Sequence, residues 1–188
     1  MPVVDFHFHV TRGEEYLRSI KPGLRALLEW KDSTGVPSQV LTRDGVTRFL
    51  DSQGVDYAVA LAEISYASTI HPNNEDVAEF CQGIPRLIPF CHINPFLAGR
   101  PAQLLEQCVK DLGFKGLKLH PTFNQYYPNE SLIYPVYGRA EELGIPVIIH
   151  TGSSTLAGSR LKYGDPLCLD DVAVDFPQLR IIQAIEKK

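Results

Sequence analysis

Two histidines near the N-terminus, one residue apart, are the first residues of this chain that could do chemistry. His7 and His9 lie in the segment 3–9, which is rich in β-branched and aromatic residues. Side chains alternate across a β-strand, so residues two apart point to the same face. Imidazole is a frequent ligand of divalent metal ions. The spacing therefore predicts that His7 and His9 direct two imidazoles at one point, as part of a metal site.

The composition is typical of a globular protein with one hydrophobic core. The chain has 188 residues, of which 44% are hydrophobic and 21% are charged. Its net charge is −4 and its Lys and Arg residues form no dense cluster, so we expect no nucleic-acid partner. No apolar run approaches the roughly 20 residues that a membrane-spanning helix requires, so we expect no membrane partner either.

The cysteines and the N-terminus indicate a cellular compartment. The four cysteines, Cys81, Cys91, Cys108 and Cys168, are well separated and form no CxxC pair. The chain enters its first predicted strand at once, without the pattern of a signal peptide. We therefore expect reduced thiols and a cytoplasmic protein.

Strand and helix patterns alternate along the whole chain. Short apolar runs predict strands over 3–9, 57–63, 87–94, 114–120, 146–150 and 180–184. Between them, helical patterns cover 42–54, 101–112, 132–143 and 165–176, and a weaker one covers 74–82. Alternation of this kind predicts parallel βαβ units and an α/β fold.

Polar residues lie at the C-terminal ends of the predicted strands. Five of the six histidines are there, and His71 alone lies in a loop, which we assign to the surface. In a TIM-type (β/α) barrel these strand ends form the mouth of the active site. The residues concerned are His7, His9, Glu63, His92, Asn94, Lys118, His120 and His150.

Three segments carry a resemblance to a known family. The segments 5–9 (DFHFH), 113–121 (GFKGLKLHP) and 146–152 (PVIIHTG) resemble the strand-one, strand-four and strand-five motifs of the metal-dependent amidohydrolase superfamily. They are most similar to its amidohydrolase-related branch, which includes aminocarboxymuconate-semialdehyde decarboxylase. The resemblance implies one divalent ion, Zn²⁺, with His7, His9 and His150 as ligands.

The resemblance also implies a reaction class. It points to a metal-dependent hydrolase that acts on a small carboxylated or cyclic organic molecule through a metal-activated water. A decarboxylase or hydratase of the same branch is the alternative. A third alternative is an inactive truncated barrel that binds only metal or a partner.

The C-terminal end of the sequence departs from the superfamily pattern. The segment 176–184 resembles the approach to strand six, but Ile185 follows where the family has a histidine and glycines. A complete barrel typically needs about 250 residues. We therefore expect a single domain, 1–188, truncated at strand six, with about six of the eight strands of a barrel present. Its open edges predict a homo-oligomer.

Lys118 and His120 are the candidate catalytic residues. They lie two apart on the fourth predicted strand, so both can face inward. We expect Lys118 to bind an anionic group of the substrate as well. A carbamylated Lys118 that bridges two metals, as in binuclear relatives, and a His120 that only packs against Pro121 are the alternatives.

Three further expectations concern the surroundings of the site. Trp30 lies in a long connection that is typical of a lid over a substrate or of an oligomer contact, and we include it among the substrate-binding residues. Asp5 shares a face with the histidine pair and is expected to accept a hydrogen bond from an imidazole N–H. The segment 153–164, rich in Ser and Gly, is expected to be a mobile substrate loop.

Overall fold

A parallel sheet organises the part of the chain that the structure describes. The structure is a computed structural model, and it describes residues 1–10, 43–64, 72–154 and 159–185. Six strands lie side by side in the order of the sequence, and every neighbouring pair is parallel. They are β1 (Val4–Phe8), β2 (Tyr57–Leu61), β3 (Leu87–His92), β4 (Gly116–Leu119), β5 (Val147–His150) and β6 (Ile181–Ala184). Each predicted strand is confirmed, with slightly shorter bounds.

Helices connect the strands, as the sequence predicts. They are α1 (Arg43–Ser52), α2 (Asn74–Cys81), α3 (Pro101–Lys110), α4 (Pro121–Asn124), α5 (Tyr134–Glu142) and α6 (Cys168–Asp175), and a 3₁₀ helix spans Leu161–Gly164. A capping box begins α2, because the side chains of Asn73 and Asp76 each accept the backbone N–H of the other. The short α4 and the 3₁₀ helix have no sequence period and were not predicted. None of the helices in the described ranges has the length and apolar character to cross a membrane.

Both faces of the sheet are buried in its central strands. The outer face packs against the helices in the larger core cluster, to which Phe8, Cys91, Leu117 and Ile149 belong. The inner face forms a separate apolar cluster built on Val59, Leu61, Phe90 and Ile148. A parallel sheet that is apolar on both faces and ordered as in the sequence is the arrangement of a (β/α) barrel.

The first and last strands are the edges of this sheet. Among the described residues, β1 pairs only with β2, and β6 pairs only with β5. Apolar side chains near these edges are partly in solvent, since Phe6 is 47% exposed and Ile185 is 66% exposed. The barrel therefore has six strands and is open in the described part of the chain, as expected.

None of the four cysteines forms a disulfide bond in the structure. Cys81, Cys91 and Cys108 are buried, and Cys168 is half-buried. Burial raises the pKa of Cys81 to about 12, while the charge of Arg43 lowers it in part.

Candidate active site

The inner face of the sheet carries the polar residues to its carboxyl-terminal edge. Phe8 packs against Phe49 of α1 on the outer face, which places the neighbouring residues His7 and His9 on the inner face. On β2 to β5, every second residue points to the inner face. The first of these residues form the apolar cluster, and the later ones lie at the carboxyl-terminal edge of the sheet. The residues reached in this way are Glu63, His92, Asn94, Lys118, His120 and His150, and all six are buried.

The imidazoles of His7 and His9 converge. Their Nε2 atoms are 3.1 Å apart. Two nitrogens that are each about 2.0 Å from one tetrahedral ion are separated by roughly 3.3 Å, so the spacing fits two ligands of a single metal ion. The alternation of β1 thus produces the geometry that the sequence predicts for this pair.

Asp5 contacts the backbone of this motif. Its Oδ1 accepts the backbone N–H of His7 at 2.9 Å. The carboxylate therefore orders the strand that carries the pair, whereas we expected it to accept a hydrogen bond from an imidazole.

His150, the third expected ligand, lies at the end of β5 with its ring fully buried. Its Nε2 lies 3.2 Å from the carbonyl oxygen of Ser153, to which it donates in the Nε2–H tautomer. Among the residues that the structure describes, no three side chains of His, Cys, Asp or Glu lie close enough together to hold a metal ion. The structure therefore brings His7 and His9 together, and the ligand role of His150 stays a prediction.

His120 is enclosed by two rings. Its imidazole stacks on Phe123 with centroids 3.6 Å apart and on His150 with centroids 4.0 Å apart. The hydroxyl of Thr122 lies 3.0 Å from its Nδ1. His120 therefore contacts Phe123 and His150 at the mouth of the barrel, and its catalytic role stays a prediction.

The pKa of His120 is lowered well below its ordinary value. Burial is the main cause, and the charges of His150, Lys118, His92 and His9 lower the pKa further. These four residues are thus close enough to act on His120 electrostatically, and His120 is neutral at neutral pH.

Lys118 lies inside the molecule. Its side chain is fully buried, and its backbone is in register with His92 of β3 and Ile148 of β5. This position excludes a solvated lysine at the end of a strand. It also places the side-chain amino group on the inner face with His120, as expected from the two-residue spacing.

Three buried asparagines complete the cluster, and sequence analysis assigned none of them a role. Asn74 forms two hydrogen bonds with the backbone of His92, accepting its N–H at 2.8 Å and donating to its carbonyl oxygen at 3.0 Å. The side chain of Asn124 lies 2.9 Å from Nε2 of His92, and Asn94 donates to Asn124 at 3.0 Å. Asn94 is visible in the sequence at the end of a strand, but Asn74 and Asn124 lie in segments without a recognisable motif.

The structure describes only some of the remaining expected residues. Trp30 and His71 fall outside the described residues, and so do 155–158 of the expected substrate loop. The end of that segment forms the 3₁₀ helix, where the carbonyl oxygen of Gly164 accepts the backbone N–H of Gly152 at 2.7 Å. A Cβ on Gly164 would lie 2.4 Å from the carbonyl oxygen of Gly152, so this close approach requires glycine.

Comparison of the sequence with models of protein families shows to which family this chain belongs. A sequence model of the family described as amidohydrolase matches residues 4–184. The chain belongs to the amidohydrolase family. This confirms the resemblance inferred from the strand-one, strand-four and strand-five motifs. Amidohydrolases are enzymes that use divalent metal ions. The convergence of His7 and His9 at the barrel mouth agrees with such a family.

Solved structures of longer chains have the same fold. An uncharacterised TIM-barrel protein from Bordetella bronchiseptica matches with a TM-score of 0.72 and 23% identity, over 97% of this chain and 66% of that protein. A 5-carboxyvanillate decarboxylase from Novosphingobium aromaticivorans, whose structure holds manganese, matches with a TM-score of 0.64 and 19% identity. The match covers 97% of this chain and 64% of that protein. A 4-oxalomesaconate hydratase from Rhodopseudomonas palustris matches with a TM-score of 0.61 and 21% identity. The match covers 96% of this chain and 62% of that protein.

These matches confirm the fold class as an α/β TIM-type barrel that is incomplete in this chain. The chain spans less than two thirds of the length of the barrels it resembles. At these levels of identity, the likeness concerns the fold.

Proposed function

We propose that this amidohydrolase chain carries the first part of a metal-dependent active site that acts on a small carboxylated or cyclic organic molecule. Hydrolysis is the proposed reaction, and Zn²⁺ is the proposed ion. The observation that carries the proposal is the convergence of His7 and His9, whose Nε2 atoms are 3.1 Å apart at the barrel mouth.

The charge of the site favours an anionic substrate. Lys118 is buried on the inner face, and His9, His92 and His150 surround His120 closely enough to lower its pKa. Groups that carry or can take a positive charge are thus concentrated at one end of the sheet. A substrate carboxylate is the complementary ligand for such a cluster.

Each residue then has a proposed task. His7 and His9 hold the ion, and His150 is the third ligand. For Nε2 of His150 to bind the ion, its hydrogen bond to the carbonyl oxygen of Ser153 must break. A bound divalent ion would supply a Lewis acid and an activated water. Lys118 binds the substrate carboxylate. His120 is neutral, so it can accept a proton, and its ring is oriented by Thr122, Phe123 and His150.

Decarboxylation or hydration is the second candidate reaction. The same cluster of metal ligands, lysine and histidine serves a substrate that carries a carboxylate next to an activated carbon. Structures similar to this chain include a decarboxylase and a hydratase, so these reactions stand as the second candidate.

Binding of a simple carboxylate tests the proposed site. Isothermal titration of the zinc-supplied chain with benzoate is expected to show binding that Lys118→Met weakens about tenfold or more, as for a lost hydrogen bond to a charged group. Lys110→Met is the matched control, because Lys110 is exposed and pairs with Glu106 on α3. Equal affinities of the wild type and both variants would contradict the role of Lys118.

A further inference from the structure

We infer that Asn94 and Asn124 hold His92 as the neutral tautomer with its proton on Nδ1. In this form His92 serves as a hydrogen-bond donor to an anionic substrate oxygen, and its Nε2 is neither a metal ligand nor a general base. The donor role rests on the proposed function, whereas the tautomer follows from hydrogen bonds within the chain.

The orientation of Asn94 is set by the backbone. Its Oδ1 lies 3.1 Å from the backbone N–H of Phe96, which can only donate. Its Nδ2 lies 3.3 Å from the carbonyl oxygen of Ile64, which can only accept. Two independent backbone groups therefore agree on which end of the Asn94 amide is the oxygen and which is the nitrogen.

The orientation of Asn124 follows from that of Asn94. The Nδ2 of Asn94 lies 3.0 Å from Oδ1 of Asn124 and donates to it. The other end of the Asn124 amide, Nδ2, therefore faces Nε2 of His92 at 2.9 Å. An amide nitrogen is a donor and has no acceptor capacity. Nε2 of His92 must accept this hydrogen bond, so the single proton of the neutral ring is on Nδ1.

The position of His92 is fixed as firmly as its tautomer. Asn74 binds both the N–H and the carbonyl oxygen of its backbone, and the residue is fully buried. The Nε2 lone pair is occupied by Asn124, which removes the nitrogen that a metal or a proton would otherwise use. His92 is also in register with Lys118, the proposed carboxylate-binding residue. A neutral donor on the strand next to a lysine favours the same anionic ligand.

Nuclear magnetic resonance of the full chain tests the tautomer directly. In protein labelled with ¹⁵N-histidine, long-range ¹H–¹⁵N spectra distinguish the protonated ring nitrogen from the bare one. We expect His92, assigned by the signal lost in His92→Asn, to carry its proton on Nδ1 in the metal-free wild type at neutral pH. A proton on Nε2 in the wild type would overturn the inference without bearing on the metal site.

A variant of Asn124 provides a second test of the tautomer. Asn124→Asp replaces the donor with an acceptor, so Nε2 of His92 should gain a proton. The matched control is Asn129→Asp, since Asn129 is exposed and bonds Asp171 on the surface. The control should leave the His92 signals unchanged. A His92 tautomer that is the same in Asn124→Asp as in the wild type would overturn the inference.

A pair of amide variants tests the donor role. Asparagine places its amide nitrogen near the position of Nδ1 in histidine, and glutamine places it near Nε2. With benzoate as the probe, we expect His92→Asn to bind nearly as well as the wild type and His92→Gln to bind about tenfold more weakly, as for one lost charge-assisted hydrogen bond. Both variants should retain zinc. Equal benzoate affinities of the two variants, or zinc lost from both, would overturn the donor role.

The controls separate this inference from the proposed function. Failure of the wild type to bind benzoate would contradict the proposed substrate class. The tautomer of His92 is measured without metal or ligand, so that result would stand by itself.

Discussion

The imidazole rings of His120 and His150 lie face to face, with centroids 4.0 Å apart and an angle of 14° between their planes. His120 follows β4 and His150 ends β5, so the stack joins two neighbouring strands at the barrel mouth. Phe123 covers the other face of His120. A candidate proton-transfer group and a candidate metal ligand therefore position each other.

Removal of the His120 ring should destabilise the fold, whereas an apolar ring should preserve it. His120→Ala leaves a cavity between Phe123 and His150, and we expect a loss of about 2 kcal/mol in the free energy of unfolding. His120→Phe keeps a stacked ring and should lose less. Urea denaturation measures both variants, and equal stabilities would contradict a structural role for the stack.

The backbone of β4 at Gly116 has no room for a side chain. A Cβ there would lie 2.3 Å from the ring of Phe90, which is buried on the inner face and in register with Gly116. Gly116→Ala should therefore cost about 1–3 kcal/mol, as for overpacking of a core. Gly99→Ala is the control, since no atom lies within 4 Å of its Cβ position. Denaturation midpoints that are equal for the two variants would be inconsistent with this packing.

An ion-pair network between α3 and α5 should give the stability of the fold a pH dependence at acid pH. Hydrogen bonds from Arg139 and Lys110 lower the pKa of Glu106 from 4.5 to about 2. A lowered pKa stabilises the fold above pH 4.5, and the contribution disappears as the pH falls towards 2. Glu106→Gln should therefore be less stable than the wild type at pH 7, by a small amount because the pair is exposed.

The difference between Glu106→Gln and the wild type should narrow between pH 4.5 and pH 2, as measured by urea midpoints at several pH values. Salt should reduce the difference at pH 7, because exposed charges are screened. A difference that is constant with pH would show that the carboxylate charge is not involved.

The open edges of the sheet should cause self-association. Phe6 of β1 is 47% exposed next to unpaired strand edges in the described part of the chain. Such edges pair with other chains, and a lysine on the edge blocks this. Light scattering after size-exclusion chromatography should show oligomers that Phe6→Lys reduces. Val174→Lys, on the exposed side of α6, should not reduce them. A monomeric wild type at micromolar concentration would contradict this prediction.

The sequence predicts the fold and the convergence of His7 and His9 well, because both rest on local periodicity. The two-residue alternation around His7 and His9 determines which face they share, and the strand-and-helix alternation determines the barrel order. The hydrogen bonds of Asn74 and Asn124 with His92, and that of Asn94 with Asn124, join different elements of the fold. These residues are 18 to 32 positions apart where they bond, so only the tertiary structure shows them. The bond from His150 to the Ser153 carbonyl is likewise a matter of side-chain orientation, which periodicity does not determine.

Zinc retention by histidine variants tests the metal site most directly. Plasma mass spectrometry of protein prepared without chelator is expected to find near-stoichiometric zinc in the wild type and in His71→Ala, which changes a histidine outside the proposed site. His7→Ala, His9→Ala and His150→Ala should each sharply reduce the zinc content, because each removes a ligand that water replaces poorly. Stoichiometric zinc in the His7→Ala/His9→Ala double variant would contradict the assignment of the metal site.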